Sequence, residues 1–151
     1  FWFAFVYPNM SFIESGNSGI VMKKIRSSLV SGHIAFVYED VCRERMWELN
    51  GEDCWPFHFS KIGRWWDGKN EIDIAAIDPD GKNLILGECK FWHEPVGVNI
   101  FNDLVEKSKS VTWKKADRHT WYVLFSAEGF TDELKTLAQS RDDLLLFDDI
   151  N

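Results

Sequence analysis

Residues 71–91, EIDIAAIDPDGKNLILGECKF, leave this chain few ways to fold. Ile72, Ile74 and Ile77 run up to Asp78-Pro79-Asp80-Gly81, and Leu84, Ile85 and Leu86 run away from it. Proline presets φ and glycine accepts positive φ at no steric cost, so this spacing predicts a turn between two strands. The anomaly is in the strands themselves. Asp73 interrupts the first, and Glu88-Cys89-Lys90 ends the second.

Side chains alternate along a strand, so Glu88 shares a face with Lys90, and Glu71 with Asp73. With Asp80-Gly81 as a two-residue loop, Asp73 lies across from Glu88 and Glu71 across from Lys90. Facing carboxylates repel. Beside Ala75, Ile77, Leu84 and Leu86, which share that face, they also lose water. A bound cation relieves both costs. A type I turn followed by a bulged glycine is equally compatible with Asp-Pro-Asp-Gly. It shifts the pairing by one residue and sends Asp73 and Glu88 to opposite faces.

At 151 residues the chain is of single-domain size, and a 15% aromatic share with eight tryptophans favours a sizeable core over disorder. The net charge of −7 does not announce a nucleic-acid binder. Charge is unevenly distributed, however. Residues 106–120 hold five basic residues (Lys107, Lys109, Lys114, Lys115, Arg118) against two acids, and residues 128–151 hold seven acids against two basic residues. Cys42, Cys54 and Cys89 show neither zinc nor disulfide spacing, which fits reduced thiols in a cytoplasmic protein. No apolar run approaches membrane-spanning length. The chain starts at Phe1, so the expectation is a piece of something longer.

Taken in order, the apolar FWFAFVYPN stops at Pro8 and is expected to pack on a body. Ser18 to Ser31 reads as a helix capped by Gly32, and His33 to about Leu49 as a second. In the latter, Ile34, Phe36, Val37 and Val41 predict burial on more than one side, and Glu39–Arg43 is an i,i+4 pair. Glu39 or Asp40 is a candidate to turn inward toward the strand acids. An aromatic loop from Cys54 to Ser60 precedes a strand over Lys61–Trp66, and Asp67–Asn70 turns into the hairpin. A helix follows with Val98, Phe101, Leu104 and Val105 at helical spacing. Thr120–Ser126 reads as a strand, Thr131 as the N-cap of another helix, and Leu144–Phe147 as a last strand. Crossovers in this order predict an α/β fold with a mixed central sheet flanked by helices.

Asp73 and Glu88, with the Cys89 carbonyl, suit a hard cation such as Mg²⁺, which takes oxygen ligands and keeps waters. Lys90 supplies a positive charge that orients or deprotonates an attacking water and stabilises a phosphorane. The blander reading makes Glu88–Lys90 an edge salt bridge and Asp73 a turn contact. A protein cation seated between the two acids would turn the reading from enzyme to interaction module. Arg64, Lys107, Lys109, Lys114 and Lys115 are candidates for phosphate contacts, or else ordinary solvated side chains. Trp65, Trp66 and Trp92 read as core or rim more readily than as platforms for bases.

Glu71-Ile72-Asp73, fourteen residues, then Glu88-Cys89-Lys90 resembles the PD-(D/E)XK nucleases. The strings FWFAFVYPN, YEDVCRE, IGRWWD, EIDIAAID, ILGECKF and VLFSAEGF narrow this to a resemblance to DUF234, the nuclease-like C-terminal domain of the archaeal ATPase family. The resemblance implies a restriction-endonuclease-like αβββαβ core. It implies Asp73 and Glu88 as ligands of Mg²⁺ or Mn²⁺, Lys90 as catalytic base or water-positioner, and Glu39 as a third metal ligand. Residues 1–17 would be the junction from a missing upstream ATPase domain and 18–151 the nuclease-like domain, acting on DNA. The alternative is a catalytically inactive nuclease fold serving as a protein-interaction or DNA-binding regulatory module.

Overall fold

The computed structural model describes residues 34–78 and 80–148, with Tyr7, residues 10–14, Gly19, Met22 and Lys23. FWFAFVYPN, the helix expected over Ser18–Ser31 and its Gly32 cap therefore lie largely outside the described residues. Gly19, Met22 and Lys23 are helical. The chain divides into two compact units, residues 1–37 and 38–151. The first contains α1 (Met10–Glu14). Then come α2 (Ile34–Gly51), β1 (Lys61–Trp66), β2 (Glu71–Ile77), β3 (Asn83–Lys90), α3 (Val98–Ser108), β4 (His119–Ser126), α4 (Asp132–Gln139) and β5 (Leu144–Phe147).

The strands form a five-stranded sheet in the order β1-β2-β3-β4-β5. The first two pairings are antiparallel and the last two parallel, with α3 and α4 as the crossovers. The sheet is thus mixed, as expected from the order of elements. In the central hairpin Ile74 pairs with Gly87 and Ile77 with Leu84, which is the register that sets Asp73 toward Glu88. The turn itself differs from the expectation. Asp78 N–H closes it onto the Asn83 carbonyl (3.2 Å), and the Asp78 carboxylate accepts from Gly81 N–H (3.0 Å). Among the described glycines only Gly68 and Gly129 have positive φ. A Cβ at Gly81 would meet the Asp78 carboxylate and displace it from the turn.

Gly87 is closely packed against the neighbouring strands. A Cβ there would lie 2.5 Å from Val123 Cγ1, 2.9 Å from the Val123 carbonyl and 3.2 Å from Ile74 Cβ. β3 is buried continuously from Leu84 to Cys89, as a central strand covered on both faces must be. One face carries Ile74, Ala76, Ile85, Cys89, Val123 and Phe125 under α2. The other carries Leu84, Leu86, Tyr122 and Leu124 under Phe101 and Leu104 of α3 and Leu134 of α4. Thr131 caps α4 as expected, accepting from Leu134 N–H (3.3 Å).

The buried side of α2 corrects the sequence expectation. Ile34, Phe36, Val37 and Val41 are exposed, and the stripe facing the sheet is Tyr38, Cys42, Met46 and Leu49. That stripe keeps strict helical spacing, but its Tyr, Cys and Met are less apolar than the residues beside it, so composition pointed to the wrong side. Among the described residues no helix is long and apolar enough to cross a membrane.

Candidate active site

The site begins at a bulge. Between Gly63 and Trp65 of β1 the pairing with β2 slips, so that β2 carries one residue more, at Asp73-Ile74. Its ladder to β3 ends at Ile74↔Gly87. Beyond it, side chains replace the backbone pairing. The Asp73 carboxylate accepts from Cys89 N–H (Oδ2, 2.9 Å), and the Asp73 carbonyl accepts from Arg43 Nη1 of α2 (3.2 Å).

Glu88 and Lys90 follow Leu84 and Leu86 onto the α3 face of the sheet. Glu88 is 3% exposed. Lys90 Nζ lies 2.5 Å from Glu88 Oε2 and 3.8 Å from Asp73 Oδ2. Lys107 Nζ, from α3, lies 2.8 Å from Glu88 Oε1 and 3.1 Å from Asp103 Oδ2. A protein cation therefore does stand between the two acids, and it is Lys90 of the motif itself. Glu39 is the acid of α2 that turns inward: its side chain is 13% exposed against 71% for Asp40. Its carboxylate pairs with Arg64 and lies 3.9 Å from Arg43, while Arg64 also holds Glu71 at 3.0 Å. Among the described residues, no group of three His, Cys, Asp or Glu side chains is set to hold a metal ion.

The electrostatics follow from this crowding. Burial, then the neighbouring Glu88 charge, pushes the Asp73 carboxyl up to about 6; the Cys89 N–H and Lys90 pull the other way without prevailing. Burial works against the Lys90 ammonium, but the Glu88 carboxylate outweighs it, so Lys90 holds its proton more firmly than an ordinary lysine. Lys107 is raised likewise: Glu88 and Asp103 overcome its desolvation. Burial also opposes the Arg64 charge, and Glu39 and Glu71 reverse the balance.

Sequence reading brought Asp73, Glu88 and Lys90 together, and the structure places them together. Two of the five proposed phosphate contacts, Arg64 and Lys107, belong to this cluster. Lys109 pairs with Glu106 (2.5 Å), and Lys115 Nζ reaches the Lys109 carbonyl (2.5 Å). Lys114 Nζ sits on the Gly81 carbonyl (2.5 Å), at the far end of the hairpin from Glu88. The direct link from Lys107 to Glu88 was not anticipated. Helical phase carries a signal for it, since Lys107 borders the buried Phe101-Leu104-Ser108 stripe. Arg43, read as a partner of Glu39, lies 3.9 Å from it and also holds the bulge carbonyl.

An α/β fold with a mixed sheet, whose central hairpin ends in a carboxylate–lysine cluster, is the class these features define. The chain belongs to the DUF234 family, described as "Archaea bacterial proteins of unknown function", whose model matches residues 2–110. That span takes in Glu39, Arg64, Asp73, Glu88, Lys90 and Lys107. The chain is 33% identical over 151 residues to an uncharacterized protein of Methanocaldococcus jannaschii, covering 98% of this chain and 31% of that protein. It thus spans about a third of the relative's length. No solved structure matches it.

Proposed function

We propose that this chain is a divalent-metal-dependent nuclease module that hydrolyses DNA phosphodiesters, one part of a larger ATPase. The observation that carries the reading is the placement of Asp73 and Glu88 at one end of the hairpin, on neighbouring strands; the ammonium between them is that of Lys90, the lysine the motif itself brings to the site. The element order α2, β1–β3, α3, β4 follows the αβββαβ plan of restriction-endonuclease-like folds, which supports that arrangement.

Among the described residues the donors are two carboxylates, Asp73 and Glu88, of the oxygen type a hard cation takes, with no third acid side chain set beside them. Asp73 keeps its proton up to about pH 6 because negative charge is crowded there with little water, which is the situation a divalent ion relieves. Asp73 and Glu88 would hold Mg²⁺ or Mn²⁺, while Glu39 is engaged by Arg64. When bound, such an ion neutralises phosphate charge and acidifies a water. Lys90, with its proton held tightly by Glu88, acts as a fixed positive charge toward a phosphate oxygen rather than as the base. Arg64 and Lys107 hold Glu39 and Glu88 in place and add to the positive rim of the cluster.

The test is metal titration and DNA cleavage by the chain and its variants. Asp73→Ala and Glu88→Ala are expected to lose Mg²⁺ or Mn²⁺ binding. Lys90→Ala is expected to keep the metal and lose cleavage. Cleavage that survives Lys90→Ala would refute the assignment.

One observation favours a second reading, an inactive scaffold for protein or DNA contacts. A protein cation, Lys90, stands between the two acids, as expected of an interaction module, and Lys107 occupies the other Glu88 oxygen. In that case millimolar Mg²⁺ leaves the thermal midpoint of the chain unchanged.

A further inference from the structure

At the turn between β1 and β2 lies a cavity that the proposed chemistry does not use. Trp66, at the end of β1, is 69% exposed, more than any other large apolar side chain among the described residues. It walls a cavity of about 510 Å³ with Arg64, Gly68, Lys69, Asn70 and Glu71. That volume falls within the range of small-ligand sites. The turn that forms its rim is built rigidly. The Asp67 carboxylate accepts from Lys69 N–H (2.8 Å) and Asn70 N–H (2.7 Å), and Gly68 takes φ +90°. Lys69 is exposed and its ammonium makes no ion pair among the described residues.

Arg64 and Glu71 link the cavity to the α2 side of the site, where Arg64 also holds Glu39. Trp66 pairs with Glu71, Glu71 is held 3.0 Å from Arg64, and Asp73 is two residues along the same strand. We infer that this cavity is a subsite for an unpaired nucleotide of a single-stranded nucleic acid, its base lying on the Trp66 indole and its phosphate drawn by Lys69. The inference rests on the nuclease reading for the chemistry at Asp73 and Glu88. Within a duplex the base faces are covered by their own neighbours, so an indole platform selects bases that are not stacked. Stacking also suits a chain of net charge −7, because it supplies affinity that does not depend on neutralising many phosphates.

The experiment measures fluorescence anisotropy of a labelled oligothymidylate, free or annealed to its complement, in chelator so that no cleavage intervenes. The intact chain is expected to bind the single strand more tightly than the duplex. Trp66→Ala is expected to weaken the single-strand complex roughly tenfold and Trp66→Phe far less. A duplex bound as well as the single strand, no binding of either, or an unchanged Trp66→Ala complex overturns the subsite. Cleavage assays in Mg²⁺ separate the two ideas. If nothing is cut but Trp66→Ala still loses the single strand, the subsite stands and the nuclease reading falls. If Asp73→Ala abolishes cleavage while Trp66→Ala binds normally, the nuclease reading stands alone.

Discussion

Asp67 and Asp73 lie six residues apart on the same ribbon, and their surroundings push them in opposite directions. Asp67 sits in the open turn between β1 and β2. The N–H groups of Asn70 and Lys69 converge on its carboxylate and hold its pKa below the ordinary aspartate value. Asp73 sits at the bulge, where burial and Glu88 raise its pKa to about 6 despite a backbone N–H and a lysine. A local turn satisfies a charge with neighbours in sequence while water remains close. A site assembled from several elements removes the water first, and the Cys89 N–H and the Lys90 ammonium of β3 only partly restore the balance.

The sharpest way to break this contrast is to remove the acid shared by two lysines. Glu88→Gln leaves Lys90 and Lys107 facing each other without their common counter-charge and is expected to cost about 3–5 kcal/mol in denaturant unfolding at pH 7. Asp73→Asn is expected to act in the other direction. The folded-state pKa of Asp73 is raised, so its contribution to stability is fully present below the unfolded value and is lost as pH rises through about 6. The Asn variant is therefore expected to be more stable than the parent by about 3 kcal/mol at pH 8, with no difference near pH 4. Unfolding curves at both pH values test this; a variant less stable at pH 8 would contradict the buried-charge account.

Gly87→Ala probes the packing that brings β3 against Val123 and Ile74 next to Glu88. Its expected cost is about 1–3 kcal/mol, read as a drop in the thermal midpoint. The smallest effect belongs to the turn. Asp67→Ala should lower stability slightly at neutral pH. Because the Asp67 pKa is depressed, its contribution is present above the unfolded value and disappears as pH falls below it. Opposite pH slopes for the Asp67 and Asp73 variants are the signature of the difference between the two sites.

Much of this architecture is legible residue by residue. The strand over Lys61–Trp66 has the bounds its pattern predicts, and so does Leu144–Phe147. Asp-Pro-Asp-Gly marks the hairpin turn, and Thr131 marks the start of α4. The α2 stripe was not legible, because Tyr38, Cys42 and Met46 are buried while Phe36, Val37 and Val41 are not. Hydrophobic pattern ranks side chains by transfer free energy, and when a helix is apolar on several sides the sheet it meets decides which side is covered.

Glu88 and Lys90 share a face by alternation along β3, which is a property of the chain alone, whereas Asp73 sits at a bulge where alternation along β2 breaks. Which register the turn adopts, which acid of α2 turns inward and which cations meet Glu88 depend on elements far apart in sequence. Arg43 reaches Asp73 across thirty residues and Lys107 reaches Glu88 across nineteen. Only packing on both faces of the sheet brings them there. The strength of their charges is set by how much water that packing excludes.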